Sequence, residues 1–319
     1  MCYTINYKIQ TNKTAVVLWL YHIEQWDEFV ELLLPLSKYI KLYLGLCLEN
    51  NNSKIIQDSR LHNLEHILTF HDNFGADVAP FLQQLFFVRE KYFIKLHSKD
   101  SKFGFKKHID WRKLLLHNLI GSKRIFQDNI SLLDNQNIGL ITNNRCLLKN
   151  QERRNSNQIK ELCEILDLDY ENLKNGPFAA GNMFISKTIL YQNLFYSRMN
   201  EVLGLLINEK NKVSDSYHGT YTHALERIFG YIIKHNNLQF DNTRPPYIKI
   251  YNTKSENGFY KLIILDNNDC YLEEDINVYG SIVENNINYM TIEWHHTSPN
   301  SILQKYKKYT NTSLIQYYE

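Results

Sequence analysis

Two short segments combine residue types that could bind a phosphate-linked ligand. The first contains Asn73, Gly75 and Asp77, which place a glycine turn and a carboxylate just ahead of a predicted helix. The second contains His97 and Lys99, which end an apolar run that alternates as a strand does, so both side chains share one face with Lys95. Glycine lets backbone N–H groups approach an anion, and lysine beside histidine supplies a cation and a titratable ring. Because open α/β sheets bind ligands at the carboxyl ends of their strands, the segments predict an enzyme acting on a charged, phosphate-linked substrate.

Each segment also has a simpler explanation. Asn, Gly and Asp are common in turns, and Asp77 would then only cap the helix that follows it. His97 and Lys99 would then be the solvated end of a strand. We favour the functional interpretation of the second segment because three polar groups end an otherwise apolar strand.

A third group lies far along the chain, where His223, Glu226 and Arg227 share one face of a predicted helix. An acid, a fixed cation and a titratable ring suit a catalytic base beside a phosphate clamp. The same spacing also describes a surface ion-pair network, and the spacing alone does not decide between the two. Two further candidates are Gly181, where a ligand could lie against backbone, and Arg112, which could donate to phosphate. Close packing explains the first equally well, and an anchor at a helix start is the more common explanation of the second.

The composition limits the classes of protein to consider. The 319 residues are 44% hydrophobic and 22% charged, which are ordinary globular values, and the net charge of +2 is too mild to indicate a nucleic-acid partner. Five cysteines without a close pair form neither a disulfide framework nor a zinc site, and they fit a reducing cytoplasm. The first residues do not resemble a signal peptide, and the longest apolar runs are too short to span a membrane. We therefore expect a soluble or peripheral protein.

The elements that must position these groups alternate between strand and helix. The predicted strands span 14–20, 40–48, 66–70, 92–97, 137–142 and 178–186, and the predicted helices span 23–36, 53–61, 77–88, 111–119, 123–133, 159–166 and 222–233. This alternation predicts an α/β fold with a mostly parallel, doubly wound sheet. Beyond Arg244-Pro-Pro246 the segments 247–251, 258–265 and 276–294 have a β pattern. We therefore predict two domains, 1–246 and a small β-rich C-terminal appendage at 247–319.

Six segments in one order are far more specific than any one of them alone. They are Asn73-Phe-Gly-Ala-Asp-Val-Ala-Pro-Phe-Leu82, Lys95-Leu-His-Ser-Lys-Asp-Ser101, Trp111-Arg112 with Leu119-Ile-Gly-Ser122, Ile138-Gly-Leu-Ile141, Ala180-Gly-Asn-Met-Phe184 and Gly219-Thr-Tyr-Thr-His-Ala-Leu-Glu-Arg227. Together they resemble the rhamnan synthesis protein F family of bacterial polysaccharide glycosyltransferases. The resemblance leaves out 247–319.

The resemblance implies a Rossmann-like domain of the GT-A glycosyltransferase type. Such an enzyme would move a sugar from a nucleotide-diphospho-sugar onto a growing surface polysaccharide, such as a capsule, O-antigen or rhamnan-type glycan. Glu226 would be the base, with Asp77 as the second candidate and His223 beside it. The donor and its diphosphate would be bound by Asn73, Gly75, His97, Lys99, Arg112, Gly181 and Arg227.

The resemblance also implies cofactors and partners. GT-A enzymes usually hold a divalent metal through Asp-x-Asp at the end of the fourth strand, and here His97-Ser-Lys99 stands in that place. We therefore expect no metal and no other cofactor. The expected partners are the nucleotide-sugar donor and a glycan or lipid-linked glycan acceptor, without nucleic acid. The expected location is the cytoplasm, including its membrane face through peripheral association.

Two alternatives stay open at this point. The replacement of Asp-x-Asp permits a non-catalytic glycan-binding or scaffolding subunit of a polysaccharide assembly complex. The same phosphate clamp would also serve a polyol-phosphate transferase. Nucleoside diphosphates discriminate the first alternative, since a lectin-like subunit should ignore them.

Overall fold

A computed structural model of the chain describes residues 13–99, 111–143, 146–149, 153–209 and 219–242, and the backbone of the strands that lie between 247 and 294. The chain divides into two compact units. The first comprises Met1–Asp100 and Ser122–Thr243, and the second comprises Ser101–Gly121 and Arg244–Glu319. The domain boundary after residue 246 stays a prediction.

The described part of the first unit contains a seven-stranded sheet and a small two-stranded ladder. In chain order its strands are Thr14–Leu20 (β1), Ile40–Cys47 (β2), His66–His71 (β3), Tyr92–His97 (β4), Ile138–Thr142 (β5), Leu147–Leu148 (β6), Phe178–Ala179 (β7), Phe184–Lys187 (β8) and Gln239–Asn242 (β9). The order across the main sheet is β3-β2-β1-β4-β8-β5-β9, and β6 pairs with β7. All neighbours in the main sheet are parallel except β8, which runs antiparallel to β4 and β5. The fold is therefore α/β with a mostly parallel sheet, as predicted.

The described helices follow the same chain order. They are Trp26–Leu33 (α1), Ser53–Ile56 (α2), Ser59–His62 (α3), Val78–Leu85 (α4), Trp111–Ile120 (α5), Lys123–Leu133 (α6), Ser156–Ile165 (α7), Tyr170–Leu173 (α8), Thr188–Phe195 (α9), Met199–Ile207 (α10) and Tyr221–His235 (α11). Among them, α5 belongs to the second unit. None of these helices has both the length and the apolar character that crossing a membrane requires.

An aromatic core holds α4, α9 and α11 against the centre of the sheet. All seven residues of β1 are buried, as expected for a strand covered on both faces. Phe93 of β4 lies edge-on to Tyr191 of α9, with ring centroids 5.0 Å apart, and Phe81 of α4 lies 5.5 Å from Phe229 of α11. Ring pairs at these distances add packing energy beyond the area that they bury. The core therefore fixes α4, α9 and α11 relative to β4.

Several local predictions were wrong. The helix predicted over 53–61 is two short helices, because the Asp58 carboxylate accepts from the Arg60 backbone N–H at 2.8 Å and starts α3. The strand predicted over 178–186 is interrupted between β7 and β8, since Gly181 and Asn182 have φ values of 84° and 57°. The helix predicted from residue 159 begins at Ser156, and α9 and α10 have no predicted counterpart.

The described part of the second unit contains α5 and a five-stranded antiparallel sheet. Its strands are Tyr247–Ser255 (β10), Gly258–Leu265 (β11), Cys270–Tyr271 (β12), Gly280–Asn285 (β13) and Tyr289–Trp294 (β14), in the order β12-β11-β10-β14-β13. The strands predicted over 247–251 and 258–265 are confirmed.

Candidate active site

The strand order reverses between β1 and β4, and this is where open α/β sheets form a ligand crevice beyond the carboxyl ends of the strands. The two strand ends are joined there by Ser98. Its backbone N–H donates to the Trp19 carbonyl at 2.9 Å, and its hydroxyl oxygen accepts from the backbone N–H groups of Tyr21 and His22, each at 2.8 Å. The segment that follows β1 therefore depends on the segment that follows β4.

Asp77 is the centre of a buried polar cluster at this edge of the sheet. Its Oδ2 accepts from the ammonium of Lys95 and, at 2.7 Å, from the side-chain amide of Asn182. The Lys95 ammonium also donates to the Asn182 carbonyl at 3.1 Å, and His97 Nδ1 lies 3.5 Å from Asp77 Oδ2. Asp77 precedes α4 but makes no side-chain capping hydrogen bond. Its carboxylate thus faces β4 and the turn at Asn182 rather than the start of its own helix.

The charges of this cluster follow from burial and proximity. Burial alone would raise the pKa of Asp77, but the charges of His97 and Lys95 outweigh it and hold that pKa well below its usual range. Burial lowers the pKa of Lys95, against the opposing charge of Asp77. Burial also lowers the pKa of His97 to about 3, so this imidazole is neutral at pH 7. Besides His97, Lys95 and, more weakly, Lys99 lower the pKa of Asp77.

A glycine turn aims Asp77 at the sheet. Gly75 and Ala76 have φ values of 61° and 49°, in the left-handed region. The Gly75 carbonyl accepts from the backbone N–H of Val78 at 2.9 Å, which begins α4. A Cβ at Gly75 would lie 2.9 Å from the Ala79 Cβ, so both the conformation and the space favour glycine. Asn73 lies in the same loop and is half-buried.

Glu226 and Arg227 form a second cluster at the start of α11. Glu226 Oε1 accepts from the backbone N–H of Gly181 at 2.8 Å, and its Oε2 accepts from Arg227 Nη1 at 2.8 Å. The Arg227 guanidinium lies 4.5 Å from the ring centroid of Phe178 and donates to the His223 carbonyl at 2.8 Å. The side chains of Glu226 and Arg227 are only 14% and 6% exposed. These two side chains are therefore not part of a solvated surface network.

His223 takes part through the cap of α11. Its Nδ1 lies 2.7 Å from the hydroxyl of Thr220, and that hydroxyl accepts from the His223 backbone N–H at 3.2 Å. The Glu209 carboxylate accepts from the two backbone N–H groups that follow Thr220, those of Tyr221 at 2.6 Å and Thr222 at 3.1 Å. The start of the helix that carries Glu226 is thus fixed by side-chain caps.

The turn at Gly181 and Asn182 joins the two clusters into one site. Gly181 binds Glu226 through its backbone, and the next residue binds both Asp77 and Lys95. The charge of Glu226 also raises the pKa of Lys95. The structure thus brings together four of the candidate residues, namely Asp77, His97, Gly181 and Glu226. Sequence reasoning missed Lys95 and Asn182 as members of the site.

The remaining candidates have different surroundings. The Lys99 backbone is held by the Gln25 side chain, with hydrogen bonds of 3.1 Å and 3.0 Å, and the Lys99 charge acts on the pKa values of Asp77 and His97. Arg112 lies on α5 in the second unit, so its place at the donor site stays a prediction. Within the described part of the chain, no group of three or more His, Cys, Asp or Glu side chains could hold a metal ion.

Comparison with protein families gives a match over most of the chain. Residues 3–238 match the family model described as "Rhamnan synthesis protein F", which covers well over half of the chain. Comparisons with curated proteins and with solved structures find no match.

Proposed function

The chain belongs to the rhamnan synthesis protein F family, and on that premise we propose that it is a glycosyltransferase of the GT-A type. It transfers a sugar from a nucleotide-diphospho-sugar onto a growing bacterial surface polysaccharide. The family places the chain in polysaccharide synthesis, while the transfer activity, the donor and the GT-A type are our proposal. The observation that carries it is the joined polar site, which holds Asp77, Lys95 and Glu226 at the carboxyl edge of the sheet.

The fold supports this proposal through its strand order. The four strands β3-β2-β1-β4 have the order of the nucleotide-binding half of a doubly wound sheet. Glycan-binding modules do not need such a crevice, whereas a nucleotide donor does. The charge of Lys99 at the end of β4 suits the donor diphosphate, which carries negative charge next to an otherwise neutral sugar.

Glu226 is the base in this proposal. Each of its oxygens has one hydrogen-bond donor among the described residues, so a second lone pair on each can accept from an acceptor hydroxyl. Asp77 is the weaker choice, because a carboxylate whose pKa is held well below its usual range is a poor proton acceptor. The contacts of Arg227 favour a role in orienting Glu226 over direct contact with the diphosphate.

The Asp77–Lys95 pair supports a mechanism without a bound metal. A carboxylate already neutralised by a buried ammonium has less attraction for a second cation. We expect EDTA to leave turnover largely intact, measured as nucleotide release before and after dialysis. Complete loss that Mn²⁺ or Mg²⁺ restores would show that a metal takes part.

The decisive experiment is a donor screen. The purified full-length chain is incubated with a panel of nucleotide sugars and a lipid-linked or oligosaccharide acceptor, and released nucleoside diphosphate is measured. Acceptor-dependent release with one donor supports the proposal. Retention on glycan without binding or turnover of any nucleotide sugar would instead favour the non-catalytic glycan-binding subunit.

A further inference from the structure

The two oxygens of Asp77 have unequal surroundings. Oδ2 accepts from Lys95 and Asn182, while Oδ1 has no hydrogen-bond donor among the residues that the structure describes. The Asp77 side chain is 17% exposed, whereas that of Lys95 is 1% exposed. The ammonium thus approaches from the protein interior. The carboxylate keeps one unused acceptor and a partly open side.

Two buried polar atoms beside Asp77 also lack a partner. His97 and Asn182 are each 5% exposed, and neither His97 Nδ1 nor Asn182 Oδ1 has a hydrogen bond within the described part of the chain. Buried polar atoms without a partner are rare in folded proteins because each costs free energy. Both residues are already held at Asp77, through a contact of 3.5 Å and a hydrogen bond of 2.7 Å. A ligand group that reaches this cluster would relieve that cost.

Three atoms, Asp77 Oδ1, His97 Nδ1 and Asn182 Oδ1, determine which ligand group fits the cluster. A phosphate would face the Asp77 carboxylate and be repelled, and a cation would compete with the ammonium of Lys95. A hydroxyl can donate to the carboxylate and accept from the neutral imidazole at the same time. The hydroxyl groups of a sugar therefore suit this cluster better than a phosphate or a metal ion does.

We propose that Asp77, His97 and Asn182 form a hydroxyl-binding subsite, in which Asp77 Oδ1 accepts a hydrogen bond from a sugar hydroxyl of the ligand. This inference rests on the proposed function for the source of the hydroxyl, which is the transferred sugar or the ribose of the donor. Asp77 then binds rather than accepts a proton, and His97 contacts the sugar rather than the diphosphate.

Binding of free sugars tests the subsite without any transfer reaction. Saturation-transfer NMR with the full-length chain measures the binding of ribose and of a hexose panel that includes rhamnose and glucose. Each sugar is added at millimolar concentration. Asp77→Asn should weaken binding by roughly tenfold or more, because its amide oxygen must face Lys95 and its NH₂ group then faces the ligand. A preference for ribose or for one hexose identifies the source of the hydroxyl.

Two further variants keep the test clear of folding effects. Asp77→Leu with Lys95→Met replaces the ion pair by apolar groups of similar size, so neither charge is left buried alone. Asp134→Asn changes an aspartate that also pairs with a lysine, Lys91, at 3.1 Å, at the opposite end of β4. We expect the double variant to lose sugar binding and Asp134→Asn to keep it, with thermal unfolding showing that both are folded.

The outcomes separate the subsite from the proposed function. The inference is overturned if the wild-type chain binds none of the sugars, or if the folded double variant binds them as tightly as the wild type. A chain that binds sugar through Asp77 but releases no nucleotide from any donor overturns the proposed function alone. A chain that turns over a donor while the double variant does so equally well overturns the subsite alone.

Discussion

At the scale of single residues, a substitution at Glu226 distinguishes a catalytic role from a purely structural one. Its two oxygens accept from Gly181 and Arg227, so Glu226→Gln keeps the shape and both neighbours while it removes the ability to take a proton. We expect turnover to fall by about two to four orders of magnitude with donor affinity nearly unchanged. Nucleotide release and donor titration on this variant measure the two quantities.

The matched control for this substitution is Glu171→Gln. Glu171 also pairs with a cation, Lys174, but its side chain is exposed, so we expect no change in turnover. If Glu226→Gln lowers donor affinity as much as turnover, then Glu226 serves to hold Arg227. Normal turnover would remove Glu226 from the mechanism and leave Asp77 as the candidate base.

His97 gives the protein a predictable dependence of stability on pH. Burial lowers its pKa from 6.5 to about 3 in the folded chain, where it faces Asp77, Lys95, Lys99 and His22. The unfolded chain therefore takes up a proton that the folded chain does not, so this contribution to stability is full above about pH 6.5 and is lost as the pH falls towards about 3. The slope reaches about 1.4 kcal/mol per pH unit for one proton. The lowered pKa of Asp77 adds its own loss of stability only as the pH falls below its unfolded value of 3.8.

Urea unfolding between pH 7.5 and about 4.5 measures this slope, and we expect His97→Phe to reduce it. His71 also has a pKa lowered by burial, so a smaller slope of the same sign should remain in the variant. The same slope in His97→Phe and the wild type would show that His97 is protonated in the folded chain.

At the scale of elements, the turn before α4 decides where Asp77 points. Gly75→Ala forces a side chain into the left-handed region, with its Cβ 2.9 Å from that of Ala79, and we expect a loss of about 1–3 kcal/mol in the free energy of unfolding. Gly204→Ala on α10 is the control, because a Cβ there meets nothing within 4 Å. That change should stabilise the protein by about 0.5–1 kcal/mol. Equal effects of both changes would mean that the turn is not strained by alanine.

Elements were predictable where one periodicity dominates and less so where a side chain interrupts it. The alternation in β4 showed that Lys95 and His97 share a face. It could not show that this face is buried, because the groups that bind the Lys95 ammonium there, Asp77 and Asn182, come from distant segments of the chain. The small residues at 178–186 fit a strand, yet positive φ at Gly181 and Asn182 turns the chain towards Glu226. Both failures lie at the candidate site, where tertiary contacts override local pattern.

At the scale of the whole molecule, the two compact units are interleaved along the chain. Residues 101–121, which include α5, belong with the C-terminal strands rather than with their neighbours in sequence. The apolar side chains of α5 at Leu115, Leu116 and Leu119 are buried. A cut after residue 246, where the sequence predicts a boundary, therefore removes most of one unit but leaves α5 behind.

We expect a chain that ends at residue 246 to aggregate and to bind a hydrophobic dye, because α5 and its apolar side chains are then separated from the other segments of their own unit. The comparison is a chain that ends at residue 243 and carries a Gly/Ser linker of equal length in place of 101–121, which keeps only the first unit. This second chain should stay monomeric and unfold in one cooperative transition, since its core contains β1, α4, α9 and α11. Light scattering and thermal unfolding measure both properties. If the chain ending at 246 is monomeric and dye-free while the linker chain fails to fold, α5 is part of the first domain and the boundary predicted from the sequence is the better one.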